Sequence, residues 1–539
     1  MAMVTGGALA LRALKKQGIP YLFGLTGEHI YPLLDACEKE GIRVIDVRHE
    51  QAAVHAADGW ARVTGRPGAA AVVAGPGITN AMTGVANAFQ ASSPLILLGG
   101  HAPIELFLKG PLQEMESVPI LSSITKWANT VYEVRRIPEY INTALKYALA
   151  GRPGPAFLAC PQDVLQAEVE EAEVPLPDPE RTRSTSAVPG NPELVREAAR
   201  LLAQAQRPAV MAGSSVFWSR GWGELREFIE TLGAPLFLNA MGRGCMPPDH
   251  PLLFGRSRRF AMGQADVILI IGAPIDFRLS YGQPPLFPEE AQVIQVDIDQ
   301  VEIAHNRPVD VGIMGDAREV LKQLTRDLQG MERRRDSNWV ERVRGEERER
   351  ERQLEPFFSS DSVPLHPLRL LREIRDFLDE DAVVIGDGGT FVTMAAGVIR
   401  PHYPGHWLDT GKLGCLGVGT GFALATRLAH PDKQVLLLQG DGSFGLNGME
   451  FDTAVRHKLP FVAVIGNNGG WSEGAAEPDS PRKYLLGFTH YEKIVEALGG
   501  YGEWVERPQD IRPALERAFK AGVPAALNVP LDPGALATT

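Results

Sequence analysis

The chain alternates short apolar runs with segments whose apolar residues recur at the three-to-four-residue spacing of a helix. In the first part of the sequence the apolar runs lie at 21–24, 42–46, 69–73, 94–98 and 155–159. Similar runs alternate with helical segments at 190–330 and again after residue 365. Such alternation is typical of parallel sheets covered by helices on both faces. We therefore expect an α/β protein of three doubly wound parallel-sheet domains, at 1–175, 190–330 and 360–539.

Two polar segments separate these blocks. Residues 170–192 are rich in proline, serine and acidic side chains, which is typical of a linker. Residues 331–355 carry charges of both signs, which predicts a solvent-exposed connecting helix. Three domains also suit the length of 539 residues, because a single hydrophobic core stops growing well below that size.

Net charge, cysteine spacing and the length of the apolar runs exclude several classes of protein. A formal net charge of −12 argues against a nucleic-acid-binding protein, although a local basic patch would suffice for a polyanionic ligand. The four cysteines have no metal-binding spacing, so we expect buried thiols in a reducing compartment (Cys37, Cys160, Cys245 and Cys415). No apolar run approaches a membrane span and the N-terminus lacks a signal-peptide layout. A cytoplasmic protein without membrane contact is therefore expected.

The most informative stretch lies between Gly440 and Asn468. An apolar run leads into Gly440-Asp441-Gly442, a second leads into Asn467-Asn468, and a segment of helical spacing lies between them. Parallel strands open their carboxyl ends into a common crevice, so Asp441 and Asn468 should lie close together. Carboxylate and amide oxygens suit Mg²⁺, which often shares its ligand shell with phosphates. The stretch predicts a magnesium–diphosphate site; the alternative is a tight turn and an ordinary loop.

Gly-Asp-Gly followed 27 residues later by Asn-Asn resembles the signature of thiamin-diphosphate-dependent enzymes. Four further motifs are similar to the acetolactate-synthase-like branch that includes benzaldehyde lyase and 2-hydroxyacyl-CoA lyase: FRLSYG (277–282), WLD-x-G (407–411), LGVG-x-GFAL (416–424) and EFDT-x-VRHK (450–458). The resemblance covers the whole chain. It implies a pyrimidine-binding domain, a central Rossmann-like domain and a diphosphate-binding domain, in that order.

In the first domain the resemblance implies three catalytic residues. Glu50 would hydrogen-bond the aminopyrimidine, whose imino nitrogen then removes the thiazolium C2 proton. By position alone, Glu50 is also explained as an acidic residue at the start of a helix. A zinc-protease motif is excluded, because Ala53 stands where that motif needs a histidine. His29 would orient the substrate hydroxyl and relay its proton, and Gln113 would face the cofactor-bound intermediate. Gly75 and Asn80, in the loop GPG-x-TN, would contact the cofactor.

In the third domain the resemblance implies that most of the cofactor is held by backbone. Glycine turns can cradle phosphate oxygens, and the family also uses the Gly414 carbonyl for the amino group and Leu416 to bend the cofactor. The implied cofactor contacts are Gly388, Gly389, Thr390, Gly414, Leu416, Gly440, Asp441, Gly442, Ser443, Asn468, Gly470 and Trp471, with Asp441, Asn468 and Gly470 as metal ligands. Segment 411–419 fits no nucleotide-binding loop, and Asp441 breaks a serine-hydrolase elbow.

The middle domain leaves its ligand open. Relatives place FAD against a stretch that Gly272–Gly282 matches poorly, while a strand end at Asp297–Asp299 fits ADP or a vacant site equally.

The resemblance implies a thiamin-diphosphate- and Mg²⁺-dependent carbon–carbon lyase or carboligase, reversible, acting on a 2-hydroxyacyl-CoA or a 2-hydroxy ketone. The first alternative is acetolactate synthase, which decarboxylates pyruvate and condenses it with a 2-oxoacid; His29 and the altered FAD stretch weigh against it. A catalytically silent regulatory or scaffold homologue is the alternative of another class. Because the family sets Glu50 of one subunit against its partner's diphosphate site, at least a homodimer is expected, and a homotetramer is predicted. The expected partners are small-molecule substrates, with neither nucleic acid nor membrane.

Overall fold

The central strands of the first parallel sheet are buried on both faces, and its two edge strands are partly exposed. The computed structural model describes residues 2–184, 186–471 and 484–536. The elements of the first domain are β1 (Met3–Thr5), α1 (Gly6–Lys16), β2 (Tyr21–Gly24), α2 (Tyr31–Glu40), β3 (Arg43–Asp46), α3 (Glu50–Thr64), β4 (Gly68–Val72), α4 (Pro76–Gln90), β5 (Leu95–His101), α5 (Ser117–Ser122), β6 (Trp127–Thr130), α6 (Ile137–Leu149), β7 (Pro155–Pro161), α7 (Gln162–Gln166), β8 (Glu168–Glu170) and α8 (Pro179–Thr182). The sheet order is β3-β2-β4-β5-β7-β6, and β1 pairs separately with β8.

The second parallel sheet has five strands in the order β10-β9-β11-β12-β13. Its elements are α9 (Pro192–Gln204), β9 (Pro208–Ala212), α10 (Ser214–Trp218), α11 (Trp222–Leu232), β10 (Leu236–Leu238), α12 (Arg258–Gln264), β11 (Val267–Ile271), β12 (Gln292–Asp297), β13 (Val311–Met314) and α13 (Ala317–Leu328).

The segment predicted as an exposed connecting helix forms α14 (Trp339–Phe358), but only part of it is exposed. Trp339, Val343 and Glu347 are buried at four-residue spacing, so one face of the helix packs on the protein. The interpretation as a wholly solvated helix was therefore wrong for this face.

The third parallel sheet follows the order β15-β14-β16-β17-β19-β18. Its elements are α15 (Pro367–Phe377), β14 (Val383–Asp387), α16 (Thr390–Val398), β15 (Trp407–Leu408), α17 (Gly419–Ala429), β16 (Val435–Gly440), α18 (Asp441–Asn447), α19 (Glu450–His457), β17 (Val462–Asn467), α20 (Tyr491–Ala497), β18 (Tyr501–Trp504), α21 (Pro508–Lys520), β19 (Ala525–Pro530) and α22 (Pro533–Leu536). The predicted fold class of three parallel α/β sheets is confirmed, while the exact domain limits stay a prediction.

The first and third domains share one hydrophobic core, which runs between α3 and α17. Two glycines permit this close approach. A Cβ on Gly421 would lie 2.8 Å from the Cβ of His55, and one on Gly59 would lie 2.8 Å from the Cα of Phe422. Because Glu50 begins α3, this contact fixes where the first domain presents that residue.

The cysteines are free and buried, as expected. Within the described ranges no helix is long and apolar enough to cross a membrane. The cytoplasmic location stays a prediction.

Candidate active site

The predicted metal-binding residues lie together at the carboxyl ends of the neighbouring strands β16 and β17. Helix α18 begins directly at Asp441, without the intervening turn that the sequence suggested, and α19 follows after a break near Gly448. The buried Asp441 carboxylate accepts hydrogen bonds from the backbone N–H groups of Gly442 (2.8 Å) and Gly470 (3.1 Å). Burial raises its pKa to about 6.

Asn468 turns one end of its amide towards Asp441. That amide position lies 3.2 Å from Asp441 Oδ1 and 3.0 Å from the carbonyl oxygen of Gly470. If the amide nitrogen occupies this position, it donates to both oxygens. If the amide oxygen occupies it, three acceptor oxygens face one another. Neighbouring ligands of an octahedral Mg²⁺ lie about 2.9 Å apart, given metal–oxygen distances of roughly 2.0–2.1 Å. The donor set and its spacing therefore fit a divalent cation.

Backbone glycines leave open space beside this set. A Cβ on Gly389 or on Gly414 would meet no atom within 4 Å, whereas one on Gly388 would touch the backbone nitrogen of Gly440 at 3.4 Å. Helix α16 begins at Thr390, so its N-terminal N–H groups face the same edge of the sheet. The arrangement suits a phosphate-bearing ligand.

Asp387, at the end of β14, is a buried residue to which the sequence analysis gave no role. Its carboxylate accepts from the N–H groups of Gly417 (2.9 Å) and Gly419 (2.9 Å) and from Gln439 Nε2 (3.1 Å), and it also bonds the Ser443 hydroxyl. Burial raises its pKa to about 6. Asp387 thus holds the loop that carries Leu416. The side chain of Ser443 is hydrogen-bonded to Asp387. In the sequence, the position of this acid between Gly386 and Gly388 was the signal that could have identified it as part of the site.

Trp471 lies over Gly442 at the mouth of the crevice. A Cβ on Gly442 would come within 2.6 Å of the indole, so only glycine admits this contact. Trp471 is 39% exposed. An exposed aromatic face at this point is available to a substrate.

The first domain contributes Glu50 and Asn80 as a pair. Glu50 is the first residue of α3 and is buried. Its Oε2 accepts a hydrogen bond from Asn80 Nδ2 at 3.0 Å. The pair that the sequence placed on two separate loops is brought together by the parallel sheet.

His29, Gln113 and Gly75 form a second group in this domain. Burial lowers the pKa of His29, although hydrogen bonding to the Leu112 backbone and the Gln113 side chain works in the opposite direction. The buried Nδ1 of His29 has no hydrogen-bond partner in the described part of the chain. Gln113 has a φ of 59°, which is strained for a residue with a side chain, and it packs 3.0 Å from a Cβ built on Gly75. The loop is thus held with Gln113 against the imidazole.

In the described part of the chain, the candidate residues of the first domain and those of the third domain form separate hydrogen-bond groups. Among the residues that the structure describes, no hydrogen bond joins Glu50, His29 or Gln113 to Asp441, Asn468 or Gly470. Each half is built by its own sheet.

A cavity of about 280 Å³ between the second and third domains is lined by four arginines, a group that the sequence analysis missed. We call this the arginine cavity: Arg243, Arg256, Arg258 and Arg400. Arg243 and Arg256 donate to the Ala396 and Gly397 carbonyls near the end of α16, at 2.8 and 2.9 Å.

Arg400 is the member of the arginine cavity that is paired with an acid. It lies 2.7 Å from the buried carboxylate of Glu347. Within the described ranges the Arg258 guanidinium has no hydrogen-bond or ion-pair partner, and burial lowers its pKa. Beside the four guanidinium groups lie the buried carboxylate of Glu347 and, 3.7 Å from Arg400, the half-exposed carboxylate of Glu351, so the cavity keeps a net positive charge.

A larger cavity of about 490 Å³ borders all three domains and lies at the strand ends of the second sheet. Its lining includes Ser214, Gly272 and Asp297. Burial raises the pKa of Asp297 to about 6. The cavity lies near the switch point between β9 and β11, where open α/β sheets bind ligands.

Comparison with known proteins identifies one family model in each of the three domains. The N-terminal TPP binding domain of thiamine pyrophosphate enzymes matches residues 4–120, their central domain matches 195–324 and their C-terminal TPP binding domain matches 387–529.

The relatives that align over most of the chain are named either acetolactate synthase or 2-hydroxyacyl-CoA lyase. The chain is 41% identical to "acetolactate synthase large subunit IlvG" of Mycobacterium tuberculosis, over 98% of this chain and 96% of that protein. It is 36% identical to "2-hydroxyacyl-CoA lyase 2" of Homo sapiens (97% and 89%) and 31% identical to "2-hydroxyacyl-CoA lyase" of Arabidopsis thaliana (98% and 96%).

Proposed function

This chain belongs to the thiamine pyrophosphate enzymes, and from that membership we propose that it is a thiamin-diphosphate- and Mg²⁺-dependent carbon–carbon lyase that cleaves and forms 2-hydroxyacyl-CoA. The observation that carries the substrate class is the arginine cavity. Arginine binds phosphate through paired N–H donors, and coenzyme A presents several phosphate groups. Pyruvate and other small 2-oxoacids would leave most of these guanidinium groups without an anion.

The position of the arginine cavity supports the same substrate. Helix α16 begins at Thr390 beside the glycine turn and carries the Ala396 and Gly397 carbonyls at the cavity. Six residues of helix span about 9 Å. A phosphate-bearing head held in the cavity would thus leave its flexible thioester arm to reach the crevice.

Different residues of the crevice would bind the metal, receive the cofactor and hold the proton. Asp441, Asn468 and Gly470 would hold the metal, while the open backbone at Gly389 and Gly414 would receive the cofactor. When bound, thiamin diphosphate supplies a carbon nucleophile for the carbonyl carbon of an aldehyde or acyl thioester. Glu50 would hold a proton at the aminopyrimidine.

His29 would handle the proton of the substrate hydroxyl. Because burial favours its neutral imidazole, it is able to accept that proton during cleavage and return it during bond formation.

A second copy of the chain would complete the site. The family resemblance sets Glu50 of one subunit against the diphosphate site of its partner, so the partner subunit would supply the missing half of each site. We propose a homodimer at least, and a homotetramer as the full assembly. Size-exclusion chromatography with light scattering tests this, and an active monomer would contradict it.

Acetolactate synthase is the second candidate, because the Mycobacterium tuberculosis relative of that name is 41% identical. The two functions are separated by assaying 2-hydroxyacyl-CoA cleavage, formyl-CoA plus an aldehyde, benzoin, and pyruvate in parallel. The proposed function fails if purified enzyme converts pyruvate to acetolactate and leaves every acyl-CoA unchanged.

An arginine variant sharpens the test. Arg258→Met should raise the KM for acyl-CoA substrates about 10–100-fold, since a hydrogen bond to a charged group contributes roughly 1.5–3 kcal/mol. Turnover of benzoin, which has no phosphate, should not change. Arg259→Met, at the exposed neighbouring position, is the matched control and should leave both reactions unchanged.

For the larger cavity we propose an adenine nucleotide. The Asp297 carboxylate suits the hydroxyls of a ribose, and the short turn between β9 and α10 lies beside it. Heat-denatured, purified protein should release ADP, or FAD with its visible absorbance. A supernatant that contains neither would contradict the assignment.

A further inference from the structure

A carboxylate of the third domain holds the main chain directly before Glu50. Glu450, the first residue of α19, is 1% exposed. Its Oε1 accepts hydrogen bonds from the backbone N–H groups of Arg48 at 2.9 Å and His49 at 3.0 Å. Its Oε2 accepts from the Thr453 hydroxyl at 2.6 Å. Both peptide groups lie within two residues of Glu50, so the contact reaches the start of α3.

Glu450 is more deeply buried than Arg456 and His457, which both bond Asp46 across the same boundary. Arg48 also pairs with Asp452 at 3.6 Å, but both side chains are partly exposed, and such pairs contribute little to stability. Glu450 is buried, and burial raises its pKa to about 7. Burying a carboxylate costs free energy unless hydrogen bonds replace its contacts with water. The two backbone donors and the Thr453 hydroxyl supply these hydrogen bonds.

We propose that Glu450 is a positioning residue that fixes the peptide groups of Arg48 and His49 and thereby sets the position of the Glu50 carboxylate. The inference rests on the proposed role of Glu50 at the aminopyrimidine. Hydrogen bonds that remove local backbone freedom keep a catalytic group in its productive geometry, and small displacements are expensive in rate. Glu450 follows Asp441 by nine residues. One short segment, α18 and α19, therefore carries both the metal-site carboxylate and the residue that orients Glu50.

The test combines two measurements on Glu450→Gln. In the protein without cofactor, hydrogen–deuterium exchange should speed up at the Arg48 and His49 amides, by about tenfold or more. In the protein loaded with thiamin diphosphate and Mg²⁺, exchange of the thiazolium C2 proton should slow at least tenfold, while cofactor affinity stays within about threefold. Asp452→Asn is the matched control: it removes a carboxylate from the same helix and the same boundary, and should change neither exchange rate.

The outcomes are distinct. Normal C2 exchange in Glu450→Gln refutes the positioning role, whatever the amides do. Equal slowing by Asp452→Asn also refutes it, since the effect would then be general weakening of the domain boundary. A wild-type protein that binds no thiamin diphosphate refutes the proposed function, and this inference with it. If Glu450→Gln does not fold, Glu450→Asp replaces it: it keeps the charge but is shorter by one methylene, and normal C2 exchange there would refute the proposal.

Discussion

Replacing Glu347 by glutamine should destabilise the protein strongly, although the helix that carries it was expected to be solvated. The Glu347 carboxylate accepts from the Ser257 N–H and hydroxyl, both at 2.7 Å, and from the N–H groups of Gly255 (3.1 Å) and Arg256 (3.2 Å). Arg400 adds an ion pair at 2.7 Å. Burial works to raise the pKa of Glu347, yet these hydrogen bonds and Arg400 hold it below its ordinary value.

The size of the effect follows from these contacts. A glutamine keeps one acceptor oxygen but turns an NH₂ group towards donors and leaves Arg400 without its buried counter-charge. Removing one partner of a buried ion pair costs about 3–5 kcal/mol. For domains of this size that corresponds to a fall in Tm of roughly 6–20 °C. Because the folded pKa is depressed, this stability is fully present at neutral pH and is lost as the pH falls through the lowered pKa.

Thermal unfolding monitored by circular dichroism at pH 7 measures the effect. Glu351→Gln is the control: that side chain is 51% exposed and lies 3.7 Å from the same Arg400, so it should cost at most about 1 kcal/mol. A Glu347→Gln protein that melts within 2 °C of wild type, or a Glu351→Gln protein that loses as much, would refute the reasoning.

Three further variants test other parts of the structure. Asp441→Ala should abolish the thermal stabilisation by thiamin diphosphate with Mg²⁺, about 2.7 kcal/mol at a hundredfold excess over Kd; an undiminished shift in the melting curve would be inconsistent with a metal ligand. His29→Ala should lower kcat by about 10²–10⁴-fold with unchanged cofactor affinity, and wild-type turnover would exclude the proton transfer. Gly421→Ala should cost about 1–3 kcal/mol in urea unfolding, because its methyl would lie 2.8 Å from His55 Cβ, while Gly345→Ala, with no atom within 4 Å, should gain up to about 1 kcal/mol; equal midpoints would contradict this.

Three of the strands that the sequence patterns did not predict share one property. Strands β6, β15 and β18 all lie at sheet edges. Trp127–Thr130 and Tyr501–Trp504 are largely half-exposed, and Trp407–Leu408 is only two residues long, so none forms a long apolar run. Central strands are buried on both faces and form continuous apolar runs, which these three edge strands lack. The edge strand β3 has an apolar run, at 42–46, and was predicted.

Part of the candidate site was predictable for a similar reason. Asp441 and Asn468 each follow a buried strand, and the ends of neighbouring parallel strands must meet, so their proximity was expected from local pattern alone. The pairing of Glu50 with Asn80 was not, because it depends on how two loops turn after their strands.

By itself, the sequence determined the three parallel sheets, the family and the residues at the strand ends, because all of these depend on local periodicity and short motifs. Only the tertiary structure revealed the arginine cavity, the role of Asp387 and the contact of Glu450 with Arg48 and His49. These features join residues up to several hundred positions apart, and no periodicity records such a pair. Their existence depends on how the domains pack, and that packing is decided by close contacts such as those of Gly59 and Gly421.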